Sequence, residues 1–189
     1  MTYFYRSLVV LATVFVVGCG YSFGPKDRSI PGGYKKIAVP IFKNKSQEVG
    51  AELSFTNSLL QEFQRSKVAD VVPESMAEAI IRGEITSIKY TGQGNLKAGV
   101  NNTLPLDTVL AAEYLINLEV SVVLVRAVDG KVLWQSVFRG EKTYYAPQIT
   151  RVGLNSANPL YNLSSRRQNI DLMALDLMAE AYGRITENF

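Results

Sequence analysis

From Glu113 onward, apolar and polar residues alternate through one long stretch. Tyr114, Ile116, Leu118, Val120, Val122 and Leu124 take one parity, and Glu113, Asn117, Glu119 and Ser121 the other. A period of two places these sets on opposite faces of a strand, so Glu113 to Val128 is predicted to be buried on one side only. Asp129-Gly130 reverses the chain, and Val132, Trp134 and Phe138 then alternate with Lys131, Gln135, Arg139 and Glu141. A two-residue loop would set Leu124 opposite Gln135 and Val120 opposite Arg139. A three-residue loop, Val128-Asp129-Gly130, pairs Leu124 with Trp134 and Val120 with Phe138, apolar against apolar. The second register is expected, with Gly130 at positive φ in a G1-bulge turn.

A sheet that is apolar on one face needs a cover, and two amphipathic segments can supply it. Val49, Leu53, Thr56, Leu60 and Phe63 recur at helical spacing behind Ser46, which can cap a helix with Glu48 in its first turn. Near the C-terminus, Ser165 to Gln168 fits a capping box. Ile170, Met173, Ala174, Leu177, Ala181 and Arg184 line one side, with Leu175, Met178, Tyr182 and Ile185 beside it. The methionines read as core filler at helical spacing. Ile37 to Ile41 forms a short first strand that Pro40 confines to an edge or an end. Val68 to Val72 is a second short strand, stopped by Pro73 and followed by a helical turn over Ser75 to Ala79. Ile80 to Tyr90 runs extended with a slip in alternation between Ile85 and Ile88, and Gly83 marks a bulge or a close backbone approach. Thr91 to Asp107 reads as a long loop and Ala146 to Leu163 as a connection across the end of the sheet. The expected fold class is α+β: two helices packed on one face of a mainly antiparallel sheet of about four strands, as one domain from residue 35 to 189.

Composition narrows the chemistry. The 189 residues are 47% hydrophobic, enough for a packed core, and the net charge of +3 is too small to wrap a polyanion unless concentrated. Histidine is absent, which removes Ser/His/Asp and Cys/His nucleophile systems and His-ligated metal sites. The sequence has no phosphate-cradling glycine loop, no Cys-x-x-Cys and no calcium-loop spacing of acids. Glu113, Glu119 and Glu141 lie on one hairpin, but a solvated sheet face accounts for them. No catalytic residue, metal site or cofactor is expected.

The N-terminus reads as an address. Arg6 precedes the uncharged run Ser7 to Val17, which is short beside the roughly 20 apolar residues that a membrane span requires. Val16-Val17-Gly18-Cys19 resembles a bacterial lipobox, in which a small residue precedes the cysteine whose thiol receives a diacylglyceryl group. That resemblance implies a signal peptide at 1–18, lipidation at Cys19 and a tether over 19–34. Gly20, where aspartate would mark inner-membrane retention, implies the outer membrane.

Cys19-Gly20-Tyr21-Ser22-Phe23-Gly24, the strand Lys36-Ile37-Ala38-Val39-Pro40 with Asn44 and Ser46 after it, Arg82-Gly83-Glu84-Ile85 and Gly130-Lys131-Val132-Leu133-Trp134 together resemble the LptE family of lipopolysaccharide-assembly lipoproteins. Membership implies an α/β sandwich anchored by its lipid to the outer membrane and facing the periplasm. It further implies that the sandwich plugs the lumen of the β-barrel translocon LptD and contacts lipopolysaccharide in transit, without enzyme activity or cofactor. Lipid A phosphates call for cations, and Lys131, Arg139, Lys142, Lys89 and Lys97 are the candidates. Lys35 to Asn44 also resembles the first strand of periplasmic lipoproteins of the LpoB and CsgG type, which implies a synthase activator or secretion component instead. A lipid-active enzyme is the least favoured class.

Overall fold

The computed structural model describes residues 28–96, 110–145, 148–151, 154–157 and 159–187. In chain order the strands are β1 (Lys36–Ala38), β2 (Lys43–Asn44), β3 (Asp70–Val71), β4 (Ala79–Leu96), β5 (Leu110–Arg126), β6 (Val132–Tyr145), β7 (Gln148–Arg151) and β8 (Leu154–Ala157). Helix α1 (Ala51–Ser66) lies between β2 and β3, a 3-10 turn (Glu74–Met76) precedes β4, and helix α2 (Pro159–Thr186) closes the chain.

The architecture is α+β, but the sheet has six strands and is mixed rather than four-stranded and mainly antiparallel. Its order is β3-β1-β4-β5-β6, with β2 also paired to β4. The antiparallel meander β4-β5-β6 is as expected. Strands β1 and β3 fall where short strands were expected and β2 is additional; all three are two or three residues long and pair in parallel, β1 with β3 and β4, and β2 with β4 through Lys43↔Glu84 and Asn44↔Ile85. Parallel strands need a long crossover, which α1 provides between β1 and β3. Runs this short carry too few alternations to reveal their pairing.

The β5-β6 register places Leu124 opposite Trp134 and Val120 opposite Phe138, as the apolar matching demanded. The turn itself differs. Gly130 has φ 69°, but Gly130 N donates to Arg126 O and Arg126 N to Lys131 O, both at 2.9 Å, enclosing four residues, Ala127 to Gly130. A further register shift lies one step inward, between Leu124 and Val125, leaving Leu133 unpaired. The predicted slip in β4 is a bulge between Ile85 and Ser87.

The glycine in β4 has a steric reason. A Cβ on Gly83 would sit 2.1 Å from the Phe42 ring, so the ring occupies the space a side chain would need. The expected loop from Thr91 is strand as far as Leu96, and the chain re-enters at Leu110; the intervening residues lie outside the described ones. The expected connection after Ala146 contains the antiparallel hairpin β7-β8, and α2 starts at Pro159, ahead of the Ser165 capping box. Proline suits a first helical position, where its missing N–H costs nothing.

Helix α1 corrects the predicted stripe and cap. Its buried residues are Ala51, Phe55, Thr56, Ser58, Leu59 and Phe63, whereas Val49 and Leu53 are 82% and 49% exposed. Two hydroxyls occupy the buried arc because each is satisfied: Thr56 Oγ1 donates to Glu52 O and accepts from Phe42 N, and Ser58 Oγ donates to Ser54 O. Ser46 does not cap the helix. Asn44 organises its entry instead, with Oδ1 accepting from Ser46 N and Oγ, and Nδ2 donating to Glu48 O and Glu52. Gly50, at φ 95°, stands before the first turn.

In α2, Ile170, Met173, Ala174, Leu177, Met178, Ala181, Tyr182 and Ile185 are buried, while Leu175 is 47% exposed. The helices run parallel, with Ser54 bonded to Asp171 and Phe63 edge-on to Tyr182. Together with the sheet they enclose one core, to which Ile37, Phe42, Ile81, Ile85, Val120, Val122 and Phe138 belong. Packing begins ahead of Lys35: Ile30, on the expected tether, is 1% exposed.

Candidate functional site

Among the described residues no helix covers the outer face of β4-β5-β6. Pairing aligns Lys89, Asn117 and Glu141 in one row and Ser87, Glu119 and Arg139 in the next. Arg139 Nε donates to Glu119 at 2.7 Å, Lys45 pairs with Glu84 at 2.6 Å and Arg82 with Glu74 at 3.5 Å. Toward β2 this face hollows into a cleft of about 470 Å³ whose apolar lining includes Pro40, Ile41, Val123 and Val125. Lys43, Arg82, Glu74 and Glu84 bring charge to the same cleft. The surface is therefore a polar, ion-paired sheet with one apolar hollow.

The sequence-derived cations do not converge. Lys89 and Arg139 share the outer face in adjacent rows, and Arg139 is already occupied by Glu119. Lys131 stands at the β5-β6 turn. Lys142, opposite Ile116, falls on the helix-side parity with Gly140 and Tyr144. Cys19 and Lys97 lie outside the described residues. Strand pairing separates residues that are close in sequence, because neighbours along a strand point to opposite faces.

A second cluster, not anticipated from the sequence, sits where the first turns of α2 meet the far end of the sheet. Arg166 pairs with Glu48 at 3.3 Å and lies 5.1 Å over the Tyr90 ring, while Tyr114 stacks on Tyr144 at 5.6 Å. The Tyr90 hydroxyl and Arg166 Nε are buried without a hydrogen-bond partner among the described residues. Burial, followed by the Glu48 carboxylate, pushes the Tyr90 phenol up; burial likewise raises Tyr144. Two carboxyls, those of Glu52 and Glu78, shift the opposite way. Asn44 holds Glu52 below the ordinary range, and the backbone N–H groups of Lys35 and Lys36 do the same for Glu78. Each shift moves its group away from neutrality, so these residues keep their resting charge and serve as fixed contacts. Only the inward parity of Tyr114 was read beforehand, since Glu48 and Arg166 are distant in sequence.

Among the described residues no group of three or more His, Cys, Asp or Glu is placed to hold a metal, and no helix is long and apolar enough to cross a membrane. What the geometry defines is an α+β sandwich with one helix-covered sheet face and one exposed, ion-paired face. The model of the LptE lipopolysaccharide-assembly family matches residues 34–185. The chain belongs to that family. A sequence search of curated proteins gives no match. Among solved structures, a neuraminyllactose-binding hemagglutinin homologue from Helicobacter pylori aligns with a TM-score of 0.52 at 10% identity, covering 88% of this chain and 92% of that one. The protein CT253 from Chlamydia trachomatis aligns with a TM-score of 0.50 at 11% identity, covering 82% and 99%. At such identities the likeness is one of fold.

Proposed function

We propose that the protein is acylated at Cys19 after removal of residues 1–18 and held at the periplasmic side of the outer membrane. There it seats in the lumen of an LptD-like β-barrel and assists passage of lipopolysaccharide to the outer leaflet. The observation that carries this reading is the family match, which runs from Tyr34, just ahead of β1, to Ile185 in the last turn of α2 and so takes in the packed core except Ile30. The outer face suits the role, since a plug in a polar barrel interior needs polar surface on a rigid body. Lys89, Arg139, Lys131, Lys142 and Lys97 are proposed as separate phosphate contacts rather than as one pocket. The role is a binding one, without catalysis or cofactor.

Affinity purification of the tagged full chain from its native envelope tests this. The expected result is a large β-barrel companion, an acylated Cys19 peptide by mass spectrometry, and depleted surface lipopolysaccharide when the chain is removed. A chain recovered alone, with normal surface lipopolysaccharide after its deletion, overturns the reading. Recovery with a cell-wall synthase in place of the barrel points to the LpoB-type role.

A further inference from the structure

The chain enters and leaves the sandwich at one end. Ser29 N donates to Thr186 O at 3.3 Å, and the Arg28 guanidinium lies 5.8 Å over the Tyr182 ring. Because the helices are parallel, the close of α1 at Lys67 falls there too. So does the β5-β6 turn: Arg126 pairs with Ala79, Ala127 N donates to Glu78 O, and the Glu78 carboxylate accepts from Lys35 N and Lys36 N.

Two features distinguish this end. The turn presents apolar surface, with Val128 91% exposed and Val132 49% exposed. The charge there is also lopsided. Arg65, Arg126 and Arg184 are paired with Glu62, Asp129 and Glu180. Arg28, Lys35, Lys36, Lys67 and Lys131 have no side-chain ion pair among the described residues. Among the described residues the acids left at this end are Asp70 opposite Lys36, Glu78 against the Lys35 and Lys36 amides, and Glu187. An exposed apolar tip beside cations that outnumber the acids matches the chemistry of an anionic membrane interface.

We propose that this end docks on an anionic glycerophospholipid surface, with Val128 entering the headgroup layer and Arg28, Lys35, Lys67 and Lys131 meeting lipid phosphates. The inference rests on the reading of Cys19 as acylated. The nine steps from Cys19 to Arg28 reach at most about 30 Å, so an acyl anchor holds this end near the headgroups. Cations held there act within a screening length of about 8–10 Å. Docking then supplies a second membrane signal and orients the sandwich, with the Arg166–Tyr90 end pointing away.

The test uses the full acylated chain with Trp134→Phe and a tryptophan reporter introduced as Val128→Trp, in phosphatidylethanolamine/phosphatidylglycerol vesicles containing brominated lipid. Strong quenching of the reporter is expected there, falling at least about threefold in phosphatidylcholine vesicles, with added salt, or with Lys67→Glu and Lys131→Glu together. A reporter placed as Leu175→Trp, on the exposed side of α2, is expected to stay unquenched. Vesicle-bound protein whose 128 reporter is unquenched, or quenched no more than the 175 reporter, overturns docking and leaves acylation standing. Quenching that requires lipopolysaccharide in the vesicle overturns the assignment to glycerophospholipid. If mass spectrometry finds Cys19 unmodified, acylation fails separately. The same reporter in the unacylated chain, at high vesicle concentration, then decides docking by the presence or absence of salt-sensitive quenching.

Discussion

Two faces of one meander, built from the same three strands, behave as different materials. On the helix side Ile81, Ile85, Ile116, Val120, Val122 and Phe138 are at most 2% exposed. On the outer side the same strands carry Arg82, Glu84, Lys89, Glu119, Arg139 and Glu141. Phe138 and Val137 are adjacent in sequence, yet Phe138 is 2% and Val137 46% exposed. The difference shows where stability resides. Burying apolar area at roughly 25 cal/mol per Å² makes the covered face the source of cohesion. Exposed ion pairs such as Arg139–Glu119 contribute only about 0–1 kcal/mol each.

The largest effect is expected from Phe138→Ala, which removes a ring packed near Trp134 and lying under the Arg184 guanidinium. Chemical denaturation is expected to show a loss of about 3–5 kcal/mol, against less than about 1 kcal/mol for Val137→Ala one residue away. Equal losses at the two positions would break the comparison between faces.

A smaller effect is expected where the covered face has no side chain. Gly83→Ala forces the buried Phe42 ring to move, and a cost of about 1–3 kcal/mol is expected. In the Phe42→Ala background that cost should disappear, because the space is vacated. A glycine penalty that persists there would assign the requirement to backbone conformation instead.

The smallest effect concerns the entry to α1. The Glu52 carboxyl is lowered from 4.5, first by the Asn44 side chain. Its stabilisation is therefore complete well above 4.5 and is lost as pH falls through the lowered value. Glu52→Gln should cost no more than about 0.5 kcal/mol at neutral pH, with the gap to the parent closing in acid. An unchanged gap on acid titration would detach Glu52 from the Asn44 network.

Legibility in the sequence followed the length and regularity of each signal. The β5-β6 body register was readable because six alternating apolar residues left one pairing that buried them all. The same reasoning placed Gly130 at positive φ but missed the four-residue turn and the unpaired Leu133, since hydrogen bonding at the tip has no periodic signature. The α1 stripe held at Thr56 and Phe63 but was misread elsewhere, because Ser58 is buried as a satisfied hydroxyl while Val49 and Leu53 are left outside. Of the candidate contacts, the sequence identified the residue types but not their company. Lys89 and Arg139 share a face, Lys142 lies on the other, and the Glu48–Arg166–Tyr90 cluster joins three distant segments.

The sequence by itself determined a one-sided antiparallel meander, two amphipathic covers, a chain without histidine chemistry, and the motifs that resemble LptE. Those properties depend on local period and residue type, which persist in any compact arrangement of the chain. Only the tertiary structure decided the parallel pairing of β1, β2 and β3, the parallel course of the helices, and the meeting of Ser29 with the end of α2 at the same end as the β5-β6 turn. Each depends on which distant segments pack together, and the free energy that selects among such packings comes from mutual burial, which no single segment encodes.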